Sequence, residues 1–279
     1  MRKDMPIGVL VRFTPETDLK AEFNKVKEMN LTSCQLSVWK LCVYTDENAK
    51  ILREAVEETG VTISGLWAGW SGPREWNFTA GPETLGIVPV AYRAMRLKEL
   101  EDASAFAEKA GITDIITHLG FIPENPNGGE FYPLVAAVRD LANKYKEKGQ
   151  RLLLETGQET PVTMLRLIQA TGCDNIGINL DTANLILYGK ANPLDALDVF
   201  GKYVWNTHCK DGLFPTDGNG LGVEVPLGEG KAHIREVVAR LAELDYPGPL
   251  TIEREIRGEE QIRDIKMARD LLLDTMSNL

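Results

Sequence analysis

Histidine is scarce in this 279-residue chain, with three in all, and cysteine is limited to Cys34, Cys42, Cys173 and Cys209, with no CxxC pair among them. That argues against a thiolate-built zinc site or a disulfide scaffold and points to a reducing, cytoplasmic setting. No apolar run reaches the roughly 18 residues needed to cross a membrane as a helix. The opening stretch MRKDMPIGVLVRF lacks the long apolar core of a secretory signal. Basic residues are also in deficit, 31 Lys and Arg against 41 Asp and Glu, giving a formal charge of -10. Partners held by phosphate neutralisation need a basic face, so neither nucleic acid nor an anionic membrane is expected.

What is present is an ordinary globular composition, 43% hydrophobic and 26% charged. Short runs rich in Val, Ile and Leu alternate with longer amphipathic stretches throughout, the pattern of parallel strands joined by crossover helices. Strands are expected at 7–11, 33–38, 62–66, 114–118, 151–155, 176–181, 203–208 and 249–253. Helices are expected at 19–29, 47–58, 93–110, 132–148, 162–170, 194–200, 234–244 and 261–275. Gly60, Gly111 and Gly172 stand where three of these helices should stop. Strict alternation of eight and eight fits a closed α/β barrel, a (β/α)8 TIM barrel forming a single domain over residues 1–279, better than an open sheet with edges to protect. Two long loops, 68–89 with Trp70 and Trp76 and the glycine-rich 210–231, follow strands and so should lie over the barrel mouth.

The last four strands end in LLLETG, IGINLDTAN, YVWNTHCKD and LTIERE, bringing Glu155, Asp181, His208 and Glu253 to one end of the barrel. Alternation turns these four inward and leaves Leu154, Leu180, Cys209 and Ile252 facing the helices. Lys210 then points inward beside His208, and Glu255 follows Glu253. Three carboxylates so crowded repel one another unless a cation or protons intervene. An oxygen-rich set with one imidazole suits a single divalent ion, Mn²⁺, Mg²⁺, Co²⁺ or Zn²⁺. The alternative, four unrelated residues satisfying loop backbones, would have to recur on four consecutive strands. His118 at the end of IITHLG is a further candidate for substrate contact or proton transfer, whereas His233 is read as a surface or packing residue. Trp39, Trp67 and Trp70 can form an apolar wall against a sugar ring or pack in the core. Gly228 and Gly230 in VPLGEGK suggest a tight turn and lack P-loop spacing.

Taken together, LLLETG, NLDTANLILYGKANP, THCKDG, EVPLGEG and PLTIERE resemble, in order and over nearly the whole chain, the sugar phosphate isomerase/epimerase superfamily of xylose isomerase-like TIM barrels. The resemblance implies that Glu155, Asp181, His208 and Glu253 bind the metal, and that Glu155 and Glu253 double as catalytic acid and base. It further implies that Lys210 and His118 contact substrate, with Trp39 and Trp70 as candidate sugar-facing rings. The implied reaction is isomerisation or epimerisation of a sugar or keto-sugar through proton abstraction and a metal-bound enediolate. Dehydration of inososes or 3-keto sugars and non-catalytic sugar binding are the alternatives. Members of the superfamily often pair through helices or mouth loops, so a homo-oligomer fits the resemblance. Its AP endonuclease branch and many ketose epimerases carry histidine three residues after the strand-six aspartate, where this chain has Asn184. With only His118 and His233 to spare, a trinuclear zinc site for DNA repair is not expected.

Overall fold

The computed structural model describes residues 4–279. Eight parallel strands, β1 (Ile7–Phe13), β2 (Ser33–Val38), β3 (Thr62–Ala68), β4 (Asp114–Thr117), β5 (Arg151–Glu155), β6 (Ile176–Asp181), β7 (Val204–Cys209) and β10 (Leu250–Ile252), close into a barrel in sequential order. A hairpin, β8 (Asp211–Leu213) with β9 (Val223–Val225), stands outside it. The principal helices are α1 (Leu19–Glu28), α2 (Asp46–Thr59), α4 (Val90–Ala110), α5 (Phe131–Lys146), α6 (Pro161–Thr171), α8 (Pro193–Phe200), α9 (Ile234–Glu243) and α10 (Glu259–Ser277). Two short ones, α3 (Gly81–Thr84) and α7 (Asn184–Leu187), sit in loops after β3 and β6.

Local chemistry explains why the helices begin and end where they do. Asp18, Thr45, Thr160 and Asn192 each accept a hydrogen bond from a first-turn amide, satisfying a donor the helix cannot. Gly60, Gly111 and Gly172 close α2, α4 and α6 in the left-handed region. Alternation along the strands then sorts the side chains. Leu36, Leu66, Leu152, Leu154, Ile178 and Leu180 join the main core between sheet and helices, together with Cys209 and Ile252. Trp67, Ile116 and Leu153 belong to a second, smaller cluster.

Three sequence expectations need correction. The fourth strand ends at Thr117, so His118 lies just beyond it, and the last strand ends at Ile252, placing Glu253 one residue past it. The stretch 210–231 is not simply a glycine-rich loop, because it carries the β8–β9 hairpin. Its glycine turn has a defined task. The amides of Gly228 and Gly230 donate to Asp211 Oδ2 at 3.0 Å, and that of Ala232 to Oδ1 at 2.9 Å. These donors are committed to a buried carboxylate rather than offered to a phosphate.

The loop after β3 is fixed by backbone contact and by one buried cation. Gly86 and Gly120, both at positive φ, lie so close to the opposing chain that a Cβ would stand 2.0 Å from Leu119 O and 2.2 Å from Leu85 O respectively. Arg96, fully buried, donates to the carbonyls of Ser71, Pro73, Thr84 and Gly86. The guanidinium thus replaces water for four loop carbonyls and holds the segment carrying Trp76 over the mouth.

Candidate metal and substrate site

Glu155, Asp181 and His208 are inward residues of β5, β6 and β7, and Glu253 follows β10. One potential ligand atom from each lies within 4.8 Å of the other three. His208 Nδ1 is 3.0 Å from Glu253 Oε2, 3.1 Å from Glu155 Oε1 and 3.8 Å from Asp181 Oδ2. Metal bonds near about 2.1 Å require adjacent ligands about 3 Å apart and opposite ones about 4 Å apart, so the cluster has the dimensions of a coordination shell. Asp181 Oδ1 is taken by the amides of Ala183 and Asn184 at 2.8 Å, while the fully buried Oδ2 has no hydrogen-bond partner. A buried carboxylate oxygen that makes no hydrogen bond, within an O₃N donor set, fits a divalent cation.

The orientation of His208 is set from below. Gln35, on β2, presents Oε1 2.6 Å from His208 Nε2, and its Nε2 donates to Asn206 Oδ1 at 3.3 Å and Asn179 Oδ1 at 3.4 Å. Gln35 therefore accepts the Nε2 proton and leaves Nδ1 to the carboxylates. Sequence reading missed this residue, although an inward glutamine in the otherwise small and apolar SCQLSV was the available signal.

Burial penalises every charge in the cluster, and mutual attraction overcomes the penalty for most of them. His208 is held well above its ordinary value by Glu253 and Glu155 despite desolvation. Lys210 is likewise held up against desolvation by Asp181, Glu253 and Glu255. Its Nζ lies 3.5 Å from both Asp181 and Glu253 and 2.9 Å from Glu255. Desolvation would raise Asp181, but Lys210 and His208 hold it far below the carboxylate range. Glu155 stays low against burial because of His118 and His208, whereas burial pushes Glu253 up to about 7 despite Lys210 and His208. Asn184, the residue by which this chain departs from the histidine of the AP endonuclease branch, donates to Glu155 Oε1 and accepts from Lys210 Nζ, both at 3.3 Å.

Above the cluster, Trp39, Trp67 and Trp76 line one end of a cavity of about 1110 Å³ together with His118, Glu155 and Glu253; the cavity continues along β1 into the groove between α1 and α10, where Val26, Met29 and Ile265 line it. His118 Nε2 is 3.6 Å from Glu155 Oε1, and burial lowers its pKa against the pull of Glu155 and Asp181. Its Nδ1 has no partner. Trp67 Nε1 donates to Glu155 Oε2. Trp70 does not line this cavity. It is 1% exposed and packs behind Trp39 and Trp76, against the Arg96 guanidinium at 5.3 Å. The face assigned to it from sequence is supplied by Trp67 and Trp76 instead. His233 is exposed at the start of α9, away from the cluster.

Beside Glu155 lies Glu159, fully buried and pushed up to about 8 by desolvation, against its backbone hydrogen bonds and Lys190. A raised carboxyl makes the fold bind that proton more tightly than the unfolded chain does. Its contribution to stability is complete below the ordinary value of 4.5 and is lost as pH rises to about 8. Urea unfolding across this window should show Glu159→Gln gaining on the parent by on the order of 5 kcal/mol. Parallel profiles for the two proteins would mean that Glu159 is ionised in the fold.

Comparison with known proteins agrees with this architecture. The family model for the xylose isomerase-like TIM barrel matches residues 23–272. A xylose isomerase domain protein from Planctomyces limnophilus superposes with a TM-score of 0.91 at 33% identity, covering 99% of both chains. A xylose isomerase-like TIM barrel protein from Mycobacterium smegmatis in complex with magnesium has a TM-score of 0.71 at 18% identity, covering 98% of this chain and 97% of that one. D-psicose 3-epimerase from Clostridium cellulolyticum has a TM-score of 0.71 at 16% identity, covering 98% and 99%. Among curated proteins, deoxyribose-phosphate aldolase from Thermus thermophilus is 29% identical over 127 residues, 45% of this chain and 56% of its own length. On the strength of the matched model, the chain belongs to the xylose isomerase-like TIM barrel family.

Proposed function

We propose that this protein is a divalent-metal-dependent isomerase or epimerase of a sugar or keto-sugar, working by proton abstraction next to the carbonyl. The observation carrying this reading is the convergence of Glu155, Asp181, His208 and Glu253 within 4.8 Å, with Asp181 Oδ2 lacking a hydrogen-bond partner. These four residues would hold the ion, which when bound polarises a substrate carbonyl and makes the adjacent C–H acidic. The chain's own residues do the rest. Glu155 and Glu253 approach His208 from β5 and from beyond β10, so each can take or return a proton at a carbon held between them. Lys210, buried and charged, places an ammonium beside Glu253 where it can steady negative charge developing on a substrate oxygen. His118 offers an imidazole to a sugar hydroxyl, and Trp39, Trp67 and Trp76 form an apolar wall for C–H faces and exclude water.

An aldolase-type imine on Lys210 is disfavoured, because three carboxylates keep that amine protonated and a nucleophilic amine must be neutral. The test combines metal analysis with solvent-deuterium exchange. Protein purified without chelator should carry or take up about one equivalent of Mn²⁺, Mg²⁺, Co²⁺ or Zn²⁺ and then incorporate deuterium into at least one ketose or keto-inositol. Saturable sugar binding without any exchange would sink the catalytic reading in favour of a binding barrel. Exchange accompanied by loss of water would identify a dehydratase.

A further inference from the structure

Among the described arginines, Arg12, Arg74 and Arg257 alone have a guanidinium without a carboxylate or carbonyl acceptor. The others all donate to carboxylates or backbone carbonyls. A chain of formal charge -10 offers most arginines an acidic partner. Yet Arg12 and Arg257 line the same cavity as Glu155 and Glu253, and Arg74 lies 4.4 Å over Trp39, which lines it too. All three are exposed.

The direction of Arg12 follows from register. Leu10 pairs with Gln35, whose side chain reaches His208 inside the barrel, and Arg12 pairs with Ser37 two residues further along the same face. Arg12 thus rises from β1 into the mouth. Of the carboxylates bordering the cavity outside the cluster, Glu16 is engaged with Lys40 at 3.6 Å, Glu22 with Lys25 at 2.6 Å, Glu255 with Lys210 at 2.9 Å and Asp18 as the cap of α1, which leaves Glu28, at the end of α1, as the one without such a partner among the described residues. A guanidinium fork left open beside a cavity matches the planar or tetrahedral oxygens of a carboxylate or phosphate.

We infer that the substrate carries an anionic group, a carboxylate or a phosphate ester, and that Arg12, assisted by Arg257, binds it while the carbonyl end occupies the proposed metal cluster. The inference rests on the proposed sugar-directed function for the position of the carbonyl end, but the anion site can be measured separately. Titration calorimetry of Mg²⁺-loaded protein with D-fructose, D-fructose 6-phosphate and D-fructuronate compares a neutral ketose with both anionic forms. One anionic ligand should bind roughly ten- to hundredfold more tightly than D-fructose, as expected for hydrogen bonds to a charged group. Preference for the ester or for the uronate identifies the source of the charge.

In Arg12→Gln the anionic-to-neutral ratio should fall toward one, and in Arg257→Gln it should fall less. Arg240→Gln, on the outer face of α9, should keep it. No preference for either anion in the parent, including failure of both to bind, overturns the inference, as does a preference that survives Arg12→Gln. Deuterium exchange run in parallel separates the two proposals. Exchange into D-fructose without anion preference removes the anion site and leaves proton transfer standing. Arg12-dependent preference without exchange supports the anion site and counts against proton transfer.

Discussion

Glu253→Gln and Glu155→Gln should each lower solvent-deuterium incorporation into a bound ketose by about 10²–10⁴-fold, the range removed with a positioned acid or base. Glutamine keeps the shape of the side chain and one carbonyl oxygen, so the fold should persist. The Trp67 indole and the Asn184 carboxamide both donate to Glu155, and one of those bonds can survive the exchange. Near-parental circular dichroism and urea midpoints would verify this. If both variants exchange at the parental rate, the carboxylates are not the proton carriers, and His118, 3.6 Å from Glu155, becomes the leading candidate. A loss confined to one variant would assign the abstraction to that face of the substrate.

Much of this architecture is legible in the amino-acid sequence, for physical reasons. The eight barrel strands announce themselves as short apolar runs because they are buried on both faces, and the helix ends carry Asp18, Thr45, Thr160 and the capping glycines. The short elements outside the barrel are not legible. The β8–β9 hairpin owes its form to contacts such as the amide of Ala232 on Asp211, which spans 21 residues of sequence, and α7, whose first amides turn onto Asp181, is too short to show a period. The four ligand-type residues stand out because charged groups ending buried strands conflict with burial unless something compensates. Trp76 cannot be assigned to the wall from sequence, since its place depends on Arg96 and on the Gly86–Gly120 contact. Trp70 is misplaced by sequence reasoning because alternation stops at Ala68, where β3 ends, and no longer fixes which way the next rings turn.

Metal affinity should depend on two residues in different ways. Asp181→Ala removes the cluster carboxylate whose Oδ2 makes no hydrogen bond and is met only by the Lys210 ammonium at 3.5 Å and the His208 ring at 3.8 Å, and should abolish stoichiometric uptake of divalent metal. The amides of Ala183 and Asn184 then lose their acceptor, so some stability is lost as well, about 1–3 kcal/mol for a buried donor pair left unpaired. Gln35→Leu touches no proposed ligand atom. It deletes the acceptor that holds the Nε2 proton of His208 and the donors to Asn179 and Asn206, so Nδ1 is no longer fixed toward Glu155 and Glu253. Outer partners of this kind are worth roughly 10–100-fold in affinity, and competition against a chelator measures that shift directly. Gln35→Glu restores an acceptor to His208 and should recover part of the loss, whereas a role in packing alone would leave the two variants alike. Unchanged affinity in both would show that the barrel holds His208 without help from Gln35.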